Sequence, residues 1–518
     1  MKTRCLSIIA CIAIAMPALA QEPYEIGNLA KPELDGTARY VGMGGALDAL
    51  GADISVMGSN PAGIGIYKRN DFAGSFGFVS QQDGKKFASG NKTNMSFDQI
   101  GFVLSMKSGF NSDNHINFGF NYHKSRNFDY ILSAANSLGN SSQNKLTAAK
   151  LYNQIIPNVN GQITTEGKDK WSYSMIDELY CDSRNILGYD PETKEISYLN
   201  ADDYNLKRAN TGYVGEYDFN LSGGIKNRFF WGVTVGLYDV HYSGYSNYVE
   251  SYPTDDIHVK DKLLIEDYRR ITGTGVDVKA GFIFRPIEDS PFRIGLTVSS
   301  PTYYTLTSSN NTSMYLNGQV DGNVYGSYDY ELYTPWKFGV SLGHTISDYL
   351  ALGAGYEYAD YSSCDARIDN GENYDGTRDS YSDDLMNNHI GLTMKGVSTF
   401  KVGLEAKVDP SVAVRFGYNY VSPMYESNGY RDLSISSPST YHASSTDYVN
   451  WKAINRITCG LGFKFDKMSL DFAYQYSAQD GHFYPFHIDP TVNQSNEVSF
   501  TKVSDKRNQI LVTLGYKF

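Results

Sequence analysis

Segments of nine or ten residues in which every second position is apolar recur along this chain in pairs joined by tight turns, and nothing else restricts its fold as strongly. Phe400, Val402, Leu404, Ala406 and Val408 alternate with Lys401, Gly403, Glu405 and Lys407. Asp409-Pro410-Ser411 turns the chain, and Val412, Val414, Phe416, Tyr418 and Tyr420 return opposite Ala413, Arg415, Gly417 and Asn419. A period of two is that of a strand with two different faces. The design recurs at 457–465 with 468–476, 336–342 with 350–358, 217–225 with 229–237, 276–284 with 292–298, and 100–106 with 116–122. Single strands at 72–79 and 510–518 bring the expected count to fourteen, an even number as single-chain bacterial barrels have.

Connection lengths sort these strands further. Those inside the six hairpins are short, whereas 80–99, 123–216, 238–275, 299–335, 359–399, 422–456 and 477–509 are long, polar and rich in Tyr. Short turns on one side and long loops on the other are the asymmetry of a transmembrane barrel, with turns in the periplasm and loops outside. The polar faces carry Lys279, Glu357, Lys401, Glu405, Arg415 and Asp471, which suit a wet lumen and not lipid. A soluble sandwich also alternates, but leaves the ordered loop lengths and the terminal Phe518, in register with Ile510, Val512, Leu514 and Tyr516, without explanation.

The first twenty residues read as a signal peptide: Lys2 and Arg4, an apolar run from Leu6 to Met16, then Ala18-Leu19-Ala20 before Gln21. Cys11 lies within the apolar run, which disfavours a lipoprotein signal. Beyond it there is no apolar stretch of about 18 residues, so any membrane crossing falls to strands. No linker or composition shift divides the rest, and the organisation expected is 1–20 signal, 21–70 plug, and 71–518 barrel with long extracellular loops. The 42 Tyr and 26 Phe suit interfacial girdles, and the 49 Gly suit strands passing close to other backbone. Past the signal, 43 basic residues face 57 acidic ones, so nucleic acid is not an expected partner. Cys181, Cys364 and Cys459 are too few and too scattered for a disulfide framework or a Cys-x-x-Cys metal site, although one pair could bridge.

Residues 21–68 do not alternate. They contain Gly36-Thr37-Ala38-Arg39, Met43-Gly44-Gly45-Ala46, and Asp53-Ile54-Ser55 followed by Asn60-Pro61-Ala62-Gly63. This pattern, directly before the first strand, resembles the N-terminal hatch of the FadL/TodX family of outer-membrane transporters. The resemblance implies fourteen strands, a hatch in the lumen, and passive uptake of hydrophobic molecules such as long-chain fatty acids or aromatic hydrocarbons. It makes Arg39, Gly42, Met43, Gly44, Gly45, Asn60, Pro61, Ala62 and Gly63 the hatch and gating residues. It also implies a sideways exit near the third strand, where Gly119, Asn121 and His123 would stand. From the residues themselves, Ala46 to Leu50 can form a short helix. Leu47, Leu50, Ile54, Val56 and Met57 would offer apolar surface to a ligand, or else simply pack the plug.

Enzyme motifs are weak. Gly339-Val340-Ser341-Leu342-Gly343 matches G-x-S-x-G, but inside a spanning strand and with no strand-to-helix elbow. Gly42 to Gly45 lacks the third glycine of a nucleotide loop, and the nine His show no paired ligand spacing, so neither catalysis nor a cofactor or metal is expected. Acids at Asp365, Asp369, Glu372, Asp375, Asp379, Asp383 and Asp384 read as a solvated loop, with divalent-cation binding as the alternative. The stretch Ser133 to Ile156 has a helical pattern (Leu146, Ala149, Leu151, Ile155) and could cap the barrel mouth. The expectation is an outer-membrane barrel, monomeric, in contact with lipid and lipopolysaccharide and with the barrel-assembly machinery, taking up a small hydrophobic ligand. A porin for polar solutes and a surface adhesin remain the alternatives.

Overall fold

A computed structural model describes residues 22–107, 114–153, 172–183, 195–253, 262–374, 378–487 and 498–518, with short pieces between 158 and 193. The signal segment, Ile155 and Asp375 lie outside the described residues. Fourteen strands form the wall: β1 (Asp71–Gln81), β2 (Thr93–Lys107), β3 (His115–Asn127), β4 (Asp203–Ile225), β5 (Phe229–Ser251), β6 (Lys262–Phe284), β7 (Arg293–Ser299), β8 (Lys337–Ile346), β9 (Leu350–Asp360), β10 (Gly396–Asp409), β11 (Val412–Val421), β12 (Tyr448–Phe465), β13 (Met468–Tyr484) and β14 (Thr501–Lys517). Each pairs antiparallel with the next, and β14 closes on β1 from Lys517–Asp71 to Arg507–Gln81. Closure leaves every strand of the wall with a partner on each side.

The register follows the alternation. Phe400, Val402, Phe416, Leu461, Ile510, Leu514 and Phe518 are exposed on the outside, while Lys279, Lys401, Glu405, Arg415 and Asp471 are buried inside. An apolar outer belt around a charged interior is the mark of a barrel in lipid. All fourteen expected strands are present, but several run well past their expected ends. The 238–275 connection is β5 and β6 continuing as one tall hairpin up to Ser251 and down from Lys262. The 299–335 connection is a hairpin of Tyr303–Leu316 with Gln319–Tyr333, turned by Asn317 and Gly318, both with positive φ. These extensions stand above the belt, where both faces meet water or protein and an apolar outer face is not required.

The long connections also cap the barrel. The expected helical stretch resolves into a strand, Tyr130–Ser137, and a helix, Asn144–Tyr152, which packs with the helix Met175–Asp182 and with Tyr204, Tyr248, Val324 and Phe483 in an outer core. The three cysteines are free.

Residues 22–70 lie within the barrel in two parts. Helix α1 (Pro23–Ala30), capped by the Glu22 carboxylate, sits high in the lumen. The chain then descends to α2 (Ala38–Gly42), capped by Thr37, and to two 3₁₀ turns, Ile54–Gly58 and Pro61–Ile66. The helix expected at Ala46–Leu50 is instead a series of turns, and the helix lies earlier. Gly44 (φ +63°) and Gly45 (φ +78°) adopt left-handed backbone after α2, which ends the helix and redirects the chain along the wall.

Candidate functional site: the plugged lumen

The hatch seats on the wall through backbone. A side chain at Gly353 would run into the Ala46 carbonyl, one at Gly403 into the Met43 carbonyl, and one at Gly417 into the Gly44 amide. Glycine is the residue that permits such contact within a strand. The Thr458 hydroxyl donates to the Gly42 carbonyl (3.1 Å) and the Asn419 amide to that of Gly44 (3.4 Å). On the opposite wall Asn60 is fully buried, and its Oδ1 accepts from the Ala62 amide at 3.2 Å and caps the second 3₁₀ turn. Gly232 and Gly281 leave room for Pro61 and Asn60, the Asn220 amide donates to the Pro61 carbonyl (3.4 Å), and the Gly63 carbonyl accepts from Ala52 (3.1 Å). The residues picked out by the hatch motif are thus its points of contact with itself and with the wall.

Charge locks the same parts together. Arg39 Nε and Nη2 hold Glu405 at 2.9 and 3.2 Å, while Nη1 donates to the Ala52 carbonyl at 2.8 Å. Glu405 also accepts from Arg415 Nε (2.6 Å), and Arg415 reaches Asp471 (2.6 Å), so one chain of charge links hatch, β10, β11 and β13. Lys401 meets hatch Asp48 at 3.2 Å. Lys279 lies among Glu216 (2.7 Å), Asp277 (2.9 Å) and Asp218 (3.3 Å). The inward charges were legible in the sequence, but the hatch partners were not.

Leu47, Leu50, Ile54, Val56 and Met57 are buried in the core of the hatch with Val41, Met43 and Ile64. Leu50 lies against Gly343 and Val56 against Gly63, and the Met57 thioether fills the space beside Gly119. Ile54 lines a cavity of about 330 Å³ on the periplasmic side, next to the turns at Pro410 and Asp466. On β3, Asn121 accepts from Gln99 (2.9 Å), and His123 faces Glu216 and Asp218. The β2–β3 ladder runs from Lys107–His115 to Gln99–His123 and ends there. Just above, Lys124 spans to the Ser96 hydroxyl (2.7 Å), and β3 bulges at Ser125. Gly119, Asn121 and His123 therefore lie in the closed part of the wall, directly below the place where it divides.

Above the hatch are two connected types of space. The central cavity, about 180 Å³, is lined by Lys124, Glu216, Lys337, Glu357, Lys401 and Arg456 among others, and is strongly polar. Higher up, only about 50 Å³ remains between Phe128, Tyr242, Met424, Tyr425, Trp451 and Ile454, with Arg126 and Arg507 at its edge. That volume is small because α1 fills the chamber. Tyr24 stacks on Tyr425 (4.8 Å between ring centres) and donates to Asn450 Oδ1 (2.8 Å). Arg126 donates to the Asn28 carbonyl (2.9 Å), Tyr361 to that of Ala30 (3.0 Å) and Arg456 to that of Pro32 (2.7 Å). Helix α1 begins at Pro23 after a capping Glu22, and a proline at the first helical position is a start signal legible in the sequence.

Ser341 of the G-x-S-x-G match sits in β8, buried opposite Gly295. The acidic loop is largely tied into local structure: Asp365 accepts from Arg367 (2.8 Å) and Asn387 (2.7 Å), and Asp383 caps the helix Asp384–Thr393.

No protein-family model and no curated protein matches the sequence. Among solved structures the chain is similar to the Ralstonia pickettii toluene transporter TbuX (13% identity, 93% of this chain and 98% of that one, TM-score 0.47). It is also similar to the Pseudomonas putida toluene transporter TodX (12%, 94% and 99%, 0.49) and to a Pseudomonas aeruginosa FadL homologue (12%, 97% and 100%, 0.48). The closed ladder stands without these likenesses. It consists of fourteen antiparallel strands closed around an N-terminal hatch.

Proposed function

We propose that the protein takes up small hydrophobic molecules, with or without a polar end, across the outer membrane, after export by the signal peptide at 1–20. The observation that carries this reading is the chamber above the hatch, whose walls are aromatic and aliphatic, whose rim is cationic, and whose floor is charged. A purely aqueous pore has no use for Trp451, Tyr425, Met424 and Ile454 facing its path. Sites for drug-sized ligands run to about 300–1,000 Å³, so a ligand of that size enters only as α1 gives way. Its apolar body then replaces α1 against the tyrosines, and any polar end reaches Arg126 or the charged floor. The exit runs sideways where β2 and β3 part above His123, or downward if Asn60-Pro61-Ala62-Gly63 shifts.

The test is uptake of labelled long-chain fatty acid and labelled toluene by cells making the intact protein, cells without it, and cells making a chain that lacks residues 22–30. The expected result is uptake of at least one of the two only where the protein is present, altered by loss of α1. Equal uptake in all three would remove both ligands. A second reading, a porin for polar solutes, draws on the charged floor; steady ion conductance of the intact barrel would favour it.

A further inference from the structure

We propose that His123, Glu216 and Asp218 form a binding site for one divalent transition-metal ion of the zinc class in the wall of the lumen. His123 and Glu216 are direct neighbours across the β3–β4 ladder, and Asp218 follows two residues along β4 on the same inward face. The imidazole lies 3.4 Å from Glu216 through Nε2 and 3.6 Å from Asp218 through Nδ1, and the donor atoms of all three residues fall within 4.8 Å of one another. Zinc at about 2.0–2.2 Å from nitrogen and oxygen donors sets tetrahedral neighbours roughly 3.4 Å apart, so one ring nitrogen and the two carboxylates, now within 4.8 Å of one another, draw together to enclose one.

Two further observations call for a cation here. Asp218 is fully buried and its Oδ2, the oxygen turned to His123, accepts no hydrogen bond. A buried carboxylate oxygen without a donor is costly. The charges are also out of balance, because Glu216, Asp218 and Asp277 bring three carboxylates to one lysine. Lys279 has three N–H groups and already faces four acceptors, at 2.7 Å (Glu216), 2.9 Å (Asp277), 3.2 Å (Tyr238) and 3.3 Å (Asp218). A divalent ion supplies the missing two charges. The Asn121 amide nitrogen lies 3.2 Å from Nδ1 and steadies the ring. His123 and Glu216 line the central cavity, which gives the ion its entry and a water as fourth ligand.

One imidazole with two carboxylates suits zinc, manganese or iron better than calcium, which takes oxygens alone. The hatch closes one side of the site: a β-carbon on Gly58 would lie 3.4 Å from the His123 ring and 3.5 Å from Asp218 Oδ2. The ion would therefore clamp β3 to β4 directly below the division of the wall and beside the plug.

The experiment uses the full-length barrel in detergent, stripped with chelator and titrated with Zn²⁺ by calorimetry and with Co²⁺ by visible absorption. Folding of each variant is checked by the shift in gel migration on boiling. The expected result is about one equivalent per chain and an intense Co²⁺ band of four- or five-coordinate type. Both are lost in His123→Ala and in Asp218→Asn and kept in Asp379→Asn of the surface loop. Binding equal in all three variants, or no retained metal, overturns the site. Should the lumen variants fail to fold, the wild-type Co²⁺ spectrum decides: the intense band supports the site, and a weak octahedral spectrum overturns it.

Discussion

The lower and upper halves of the lumen hold their contents in different ways. Below, the hatch meets the wall backbone to backbone at Gly353, Gly403 and Gly417, with no room for a methyl group, and is tied by the Arg39–Glu405–Arg415–Asp471 chain. Above, α1 is held by side chains alone, with Tyr24 stacked on Tyr425, Arg126 and Tyr361 reaching its carbonyls and Arg431 facing its capping Glu22, and free volume remains beside it. Packed backbone cannot yield locally, whereas side chains change rotamer. Under the proposed function, the half that must not leak is built from the first kind of contact, and the half that must exchange its occupant from the second.

Gly353→Val attacks the lower half directly and should have the largest effect. The added side chain collides with the Ala46 carbonyl, a backbone atom that has nowhere to go. Overpacking costs about 1–3 kcal/mol where neighbours are side chains, and more is expected here. The hatch should unseat, and planar-bilayer recording should change from closed wild-type traces to steady conductance. A variant as closed as wild type would mean that the lower hatch is as yielding as α1.

Arg39→Ala should come next. It leaves Glu405 to Arg415 alone and removes the bond to the Ala52 carbonyl. Hydrogen bonds to charged groups contribute about 1.5–3 kcal/mol, so the hatch should release at lower urea than in wild type, read as the onset of conductance while the barrel stays folded. Onset at the same urea would assign the seat to the glycine contacts alone.

Deleting residues 22–30 tests the upper half. Conductance should stay low because the lower seat is intact, while a hydrophobic fluorophore should bind more tightly and quench Trp451, which lines the vacated chamber. A large rise in conductance would show that α1 is part of the seal, and the contrast between the halves would fail.

What could be read in the sequence follows the same division. Lipid imposes a period of two on the outer face, so all fourteen strands show in residues such as Phe400 to Val408, and their inward charges show with them. Above the membrane no such demand exists. The Tyr303–Tyr333 hairpin passed for a loop although Asn317-Gly318, a strong hairpin-turn pair, marks its tip. The hatch motif marks which residues matter but not what they touch, because Arg39 and Glu405 are 366 positions apart. Nor does a single sequence tell packing from display: Leu47, Val56 and Met57 read equally well as plug core or as ligand surface, and they are buried in the plug.

The smallest expected effect is also the sharpest test of how α1 is held. Tyr24→Phe keeps the ring contacts with Tyr425 and Tyr448 and removes only the hydroxyl that donates to Asn450. Such a bond contributes about 0.5–1.5 kcal/mol net, so a probe attached at Glu22 should report a modest rise in the released fraction of α1. Tyr24→Ala removes the ring contacts as well and should release far more. If the two variants behave alike, the hydroxyl and not the ring retains α1, and an apolar ligand would have no stacking surface to compete for. If Tyr24→Phe behaves as wild type and Tyr24→Ala releases α1, the ring holds the helix, and the chamber favours an incoming ligand by the same contacts that hold α1 in its absence.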